Sequence, residues 1–298
     1  MRTVALLLAL VPGVLPAQVL RILPSEKKPD HPSWDTAFMR RNAVAAIIGT
    51  TAVKVEGKPM YDLPERVLYR FDPAGRMVYA NTSRGRPGSG TDTTSVIWEH
   101  DSLGRPLSQL RTDIAGHYLL ETAYDSTGRA VGETYVRVAN LGPDRYHFRP
   151  GERTVIGQER FGYRKESDTA WVRVYRNDLD LPYREQRHAY DRWGYLRSIE
   201  DLYLMSGRRS RVEFRYDEKG RLAERTEKPD LRGPQHVRET YRYDTVGNLL
   251  ATELYQDDRL VRHEELLYEE GTMFLKARLS KDVATGRIQV VRYRTERR

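Results

Sequence analysis

Catalysis needs side chains that take, give or hold charge in one place, and this 298-residue sequence offers few such groupings. It has no cysteine, which removes thiol nucleophiles, zinc-thiolate sites and disulfides. His31, His100, His117, His147, His188, His236 and His263 follow no metal-ligating spacing such as His-x-His or His-Glu-x-x-His. Glu264-Glu265 and Glu269-Glu270 are paired carboxylates, as glycoside hydrolysis requires. Adjacent residues on a strand point to opposite faces, so neither pair converges. Gly85-Arg86-Pro87-Gly88-Ser89-Gly90-Thr91 imitates a phosphate loop but lacks a lysine after its last glycine and precedes no helix. Asp72, Asp101, Asp125, Asp191, Asp217 and Asp244 recur like the ligands of a calcium array. Each is followed three residues later by a glycine: Gly75, Gly104, Gly128, Gly194, Gly220 and Gly247. In an Asp-x-x-Gly turn the carboxylate caps its own turn. The expectation is therefore no catalytic residue, no cofactor, no metal and no enzyme. The alternative is a polysaccharide-acting enzyme whose carboxylates converge inside a wrapped sheet.

Recognition chemistry is better represented. Tyr69, Phe71, Trp98, Tyr124, Tyr190, Phe214, Tyr216, Tyr241 and Tyr243 form a candidate binding face, since aromatic rings stack on sugars and the abundant arginines donate to hydroxyl or acidic groups. Net charge is +8 with both signs interspersed and no block of five like charges, so no nucleic-acid partner is expected. A glycan or an anionic envelope component is the expected partner, since net positive charge concentrates anions.

The elements that would position these residues follow from the turns. Asp at the start of a type I turn and Gly in the left-handed third loop position specify a hairpin, so the six glycines should have positive φ. An aromatic-Asp-x-x-Gly pattern occurs five times, at Phe71, Tyr124, Tyr190, Tyr216 and Tyr243, with His100 heading a sixth variant. Chance would supply fewer than one, so the pattern is a repeat. Tyr216-Asp217-Glu218-Lys219-Gly220-Arg221-Leu222 resembles the YD-repeat (Rhs-repeat) family motif in full, and the other copies are degenerate. The resemblance covers roughly residues 67–271. It implies an architecture more than an activity: a secreted bacterial β protein serving as a binding or scaffold module.

Turn signals about a dozen residues apart leave no room for crossover helices, so neighbouring strands must be antiparallel. The expected fold is all-β, a meander of sixteen to eighteen strands forming one strongly curved or barrel-like sheet. Counting back from each turn Asp places Tyr216, Phe214 and Val212, or Phe71, Tyr69 and Val67, on one face. Arg215 and Glu213, or Arg70, fall on the other. An outer-membrane barrel is the alternative way to cover the aromatic face, but the expectation is a chain that does not span the membrane.

Residues 1–17 read as a secretory signal peptide, a basic start followed by a short apolar run and a small residue at the cut. Residues 18–32, polar and proline-rich from Ser25 to Pro32, read as a linker, and residues 33–298 as a single YD-repeat-like domain. Ser33 is the expected cap of a short helix from Trp34 to about Asn42, and residues 83–94 the expected long mobile loop. The resulting expectation is an exported protein, in the periplasm or extracellular, at the cell surface of a Gram-negative bacterium.

Overall fold

The computed structural model describes residues 18–85, 92–144 and 147–298. The expected signal peptide and most of the Gly/Pro-rich loop lie outside the described residues. One helix, α1 (Thr36–Arg41), precedes β1 (Val44–Lys54), β2 (Tyr61–Phe71), β3 (Met77–Arg84), β4 (Asp92–His100), β5 (Pro106–Asp113) and β6 (Gly116–Tyr124). The chain continues through β7 (Ala130–Asn140), β8 (Pro150–Ser167), β9 (Ala170–Arg176), β10 (Pro182–Tyr190), β11 (Leu196–Tyr203) and β12 (Arg209–Tyr216). It ends with β13 (Leu222–Lys228), β14 (Val237–Tyr243), β15 (Leu249–Gln256), β16 (Arg259–Tyr268), β17 (Leu275–Asp282) and β18 (Ile288–Arg297). Each strand pairs antiparallel with its successor, and β1 pairs with β18 as well as β2, so the meander closes into a barrel. A circuit of alternating strand directions closes antiparallel only with an even number, and here it is eighteen.

The turn chemistry is as expected. The glycines at 75, 104, 128, 194, 220 and 247 have φ of 83°, 83°, 85°, 85°, 75° and 104°. In the Tyr216 hairpin, Asp217 Oδ1 accepts from the amides of Lys219 and Arg221 at 2.9 Å each, and Oδ2 accepts from Arg221 Nε at 2.7 Å. Partial burial pushes the Asp217 carboxyl up, but the Arg221 guanidinium and amide outweigh it and hold it below its ordinary value. A carboxylate so occupied closes the turn rather than ligating a cation.

Three tyrosines of the motif, Tyr124, Tyr216 and Tyr243, tie their hairpins to the one before, and Tyr268 does the same at the end of β16. Tyr243 Oη donates to Leu222 O at 2.8 Å, Tyr216 Oη to Leu196 O at 2.7 Å, Tyr124 Oη to Pro106 O at 2.9 Å, and Tyr268 Oη to Leu249 O at 2.6 Å. Arg221 lies over the Tyr243 ring at 4.5 Å and Arg105 over Tyr124 at 4.5 Å. The repeated motif is thus a girdle around one rim of the barrel.

Two glycines of this rim separate steric from conformational cost. A Cβ on Gly75 would lie 2.2 Å from Thr36 O and 2.6 Å from Arg40 N, both backbone of α1, whereas one on Gly194 would meet nothing within 4 Å. Gly194→Ala is expected to lose only the ~1–2 kcal/mol of left-handed strain. Gly75→Ala must also push α1 off the rim and is expected to lose distinctly more. Urea unfolding of the two variants side by side checks this, and equal losses would contradict the packing of α1 on the turn.

Three local expectations need correction. The helix is capped by Asp35, whose Oδ1 accepts from Phe38 N at 2.6 Å; Ser33 lies too early because Trp34 is still extended, bridged to Leu20. Ser83, Arg84 and Asp92 to Thr94 are paired strand rather than loop, with Ser83 opposite Asp92 and Thr82 opposite Thr94. Residues 18–32 do not behave as a linker outside the domain. The chain from Val19 to Asp35 folds back on itself, with Arg21 N donating to Ser33 O at 2.8 Å and Asp35 N to Val19 O at 3.0 Å, and it enters the barrel.

Candidate functional site

The inserted segment touches strands on opposite sides of the closed sheet, which fixes its place as the lumen. Trp34 packs edge-on against Phe71 and Tyr293, both at 6.1 Å, and against Tyr69 at 5.4 Å. His31 meets Trp98 on β4 at 5.5 Å, and Asp30 reaches Arg111 on β5 at 3.5 Å. Near the tip of the segment, Lys28 pairs with Glu239 on β14 at 2.5 Å, Arg225 on β13 donates to Glu26 O at 2.7 Å, and the Glu26 carboxylate pairs with Arg184 on β10.

Arg184 is the centre of a polar network in the wall. Its Nε donates to Asp201 Oδ1 at 2.6 Å, and Gln186, 1% exposed, donates through Nε2 to the same oxygen at 3.2 Å. Tyr175 Oη donates to Gln186 Oε1 at 3.2 Å, and His188 Nε2 lies 2.9 Å from that oxygen. His188 also stacks on Trp171 at 3.9 Å. Burial and the nearby Arg173 push the His188 imidazole down to about 4.

That depression predicts a pH dependence. A histidine kept neutral in the fold but protonated below about 6.5 when unfolded contributes fully above that pH and progressively less as pH falls to about 4. The urea midpoint is therefore expected to drop between those values, and His188→Phe, which keeps the stack on Trp171, to flatten that drop. An unchanged slope would show that the protons are taken up elsewhere.

Between the inserted segment and the wall formed by β13 to β18 lies a cavity of about 530 Å³. Register sets its polarity. Leu249, Leu266, Leu275 and Tyr293 lie toward the motif rim and belong to the core around Trp34 and Phe38, while Arg278, Glu264, Arg262, Ser280 and Gln289 follow further along β16 to β18. Most charges here are paired. Arg262 faces Glu264 at 3.5 Å, Arg225 pairs with Glu227 at 2.9 Å, and Glu239 takes Lys28 on Oε1 and the Tyr241 hydroxyl on Oε2 at 2.9 Å. Glu264 accepts from Ser280 at 3.2 Å and Thr252 at 3.4 Å. Arg278 is different: its Nε is buried with no hydrogen-bond partner among the described residues.

The nine residues of the expected aromatic face all point inward, but they do not form one open surface. Tyr69, Phe71 and Phe214 are buried at 6%, 5% and 1% exposure. Trp98, Tyr241 and Tyr243 pack against that core, and Tyr241 alone of the nine lines the cavity beside the segment. Tyr190, Tyr216 and Tyr243 border a second depression at the motif rim, while Tyr124 is engaged with Pro106. Sequence reasoning did not pick out Arg184, Gln186, Asp201, Arg225, Glu239 or Arg278.

The outer face is charged. Glu200 pairs with Arg211 at 2.7 Å and Arg209 at 3.4 Å, and Glu224 with Arg215 at 3.6 Å and Arg238 at 3.8 Å, forming a ladder across β11 to β14. As expected from alternation, Glu264 faces the lumen while Glu265, its neighbour, is outside against His263. Among the described residues no helix is long and apolar enough to cross a membrane, and no group of acidic and histidine side chains could hold a metal ion.

No family model and no curated protein matches the chain. Among solved structures, it is similar to a porin-like protein from Bacteroides uniformis at 11% identity, over 86% of this chain and 97% of that one, with a TM-score of 0.38. It is also similar to a DUF1329 family protein from Desulfovibrio piger at 10% identity, over 87% of each chain, with a TM-score of 0.29. A third likeness is to the LolA superfamily protein NE2245 from Nitrosomonas europaea, at 13% identity over 87% and 88%, with a TM-score of 0.18. At these scores none carries an argument about this chain.

Proposed function

We propose that the protein is a non-catalytic binding module of the Gram-negative envelope, a divergent relative of the YD-repeat proteins, which takes a small envelope component into its barrel beside the inserted N-terminal segment. The observation that carries this reading is the cavity of about 530 Å³, within the size range of ligand sites, with an apolar floor and a few placed polar groups. Its carboxylates favour binding over catalysis. Glu239 is engaged by Lys28 of the segment and by Tyr241, and Glu264 by Ser280, Thr252 and Arg262, which favours a structural role over that of a general acid or base.

The charged exterior favours water rather than lipid around the barrel. An arginine on the lipid face of a membrane barrel costs about 2–4 kcal/mol near the midplane, and here Arg215, Arg211 and Arg238 lie on adjacent outward positions. A glycan ligand stacking on the nine residues of the expected aromatic face would have to enter the lumen, because those residues are turned inward.

A thermal-melt screen of the purified chain against neutral glycans, acidic sugars and single-chain amphiphiles tests the reading. At least one class is expected to raise Tm in the parent and not in Ser280→Trp, which fills the cavity. If no class shifts the parent at millimolar concentration, the barrel is a scaffold and the reading fails.

A further inference from the structure

We infer that Arg278 is the anchor for an organic anion, and that the cavity's ligand is an amphiphile carrying one carboxylate on an apolar body. This rests on the lumen being the binding site, and it adds the chemistry that site would select. The first ground is the arginine itself. Guanidinium Nε atoms are obligatory donors, and burying one without an acceptor costs free energy that an incoming oxyanion would recover. Arg278 forms no ion pair among the described residues; Glu264 is close enough to favour its charge but takes its contacts from Ser280, Thr252 and Arg262.

The second ground is charge balance. The bases lining the cavity are Lys27, Lys28, Arg225, Arg262 and Arg278, against Asp30, Glu239 and Glu264, so the lining carries an excess of two positive charges. With Lys28, Arg225 and Arg262 paired, the excess falls on Arg278 and on Lys27 near the segment's tip. The third ground is what surrounds the anchor. Ile22 and Leu23 of the segment line the space together with Tyr241, Leu266 and Tyr293, a lining that suits a hydrocarbon body better than a polyol. A carboxylate fits the planar fork of arginine in two parallel hydrogen bonds, which a neutral headgroup cannot make.

Isothermal titration with dodecanoate, dodecanol and glucuronate as probes tests this on the parent chain without relying on any variant. Dodecanoate is expected to bind about ten- to a hundred-fold more tightly than dodecanol, the range set by charge-assisted bonds, and glucuronate to bind more weakly than either. Arg278→Gln should bring dodecanoate down to the level of dodecanol, and Arg278→Lys should retain part of the preference. Arg215→Gln, on the outer face, should change nothing. Equal binding of dodecanoate and dodecanol, unaffected by Arg278→Gln, would overturn the anchor while leaving the lumen as a binding site. Tight glucuronate binding without dodecanoate binding would overturn the apolar body. Failure of all three probes, with Ser280→Trp melting like the parent under every ligand class, would instead remove the lumen reading beneath it.

Discussion

Arg184→Ala is expected to lower the free energy of unfolding by about 3–5 kcal/mol and to loosen the N-terminal segment from the lumen. The arginine and Asp201 side chains are 12% and 9% exposed, so the pair is largely out of water. Removing the cation leaves Asp201, 9% exposed, without its ion-pair partner and leaves the partly exposed Glu26 with only Lys27 nearby, and breaking a buried pair from one side costs that much. The loss belongs to the orphaned carboxylates and not to the attraction alone. The double variant Arg184→Met with Asp201→Leu should therefore recover a large part of it. Urea melts of the single and double variants decide this. A single variant within about 1 kcal/mol of the parent would mean water reaches the network freely.

Trp34→Ala should be comparably damaging, about 3–5 kcal/mol, because it removes the ring that packs against Tyr69, Phe71 and Tyr293 and closes the base of the inserted segment against Leu20. Trp34→Phe should be much milder. The indole Nε1 is buried without an acceptor, so phenylalanine discards an unsatisfied donor while keeping most of the ring contact. Limited proteolysis should show cleavage within residues 21–33 early in the alanine variant and late in the other two. Equal resistance in all three would contradict the segment's being held by this cluster.

How far the sequence could be read depended on the register at each turn. Strands entering a motif turn were legible because the Asp marks a fixed point to count back from, and Phe214, Tyr69 and Val96 all face inward as that count requires. Strands leaving the turn were not. Opposite Arg215 and Tyr216 stand Glu224 and Leu222, so Ala223 is an extra residue that rotates the strand by one position. Leu222 and Arg225 then share the inner face, where simple alternation from Leu222 would have chosen Glu224 and Thr226.

The same shift occurs at the motif end of β2/β3, β4/β5, β6/β7, β10/β11, β14/β15 and β16/β17. It hides Arg225, Asp201 and Arg278 from a period-two reading, and with them most of the lumen's chemistry. The inserted segment was obscured for another reason. Its prolines and charges resemble those of a solvated linker, and only the structure supplies the wall partners Arg184 and Arg225 that hold the partly buried Glu26, and the buried Glu239 that holds Lys28.

The central claim is that a small ligand occupies the space between the inserted segment and the wall from β13 to β18. Native mass spectrometry of the intact chain with dodecanoate, run beside Ser280→Trp, tests it most directly. The account predicts a one-to-one adduct on the parent and none on the filled variant, with both retaining the same charge-state distribution of a folded barrel. An adduct of equal abundance on both would contradict it.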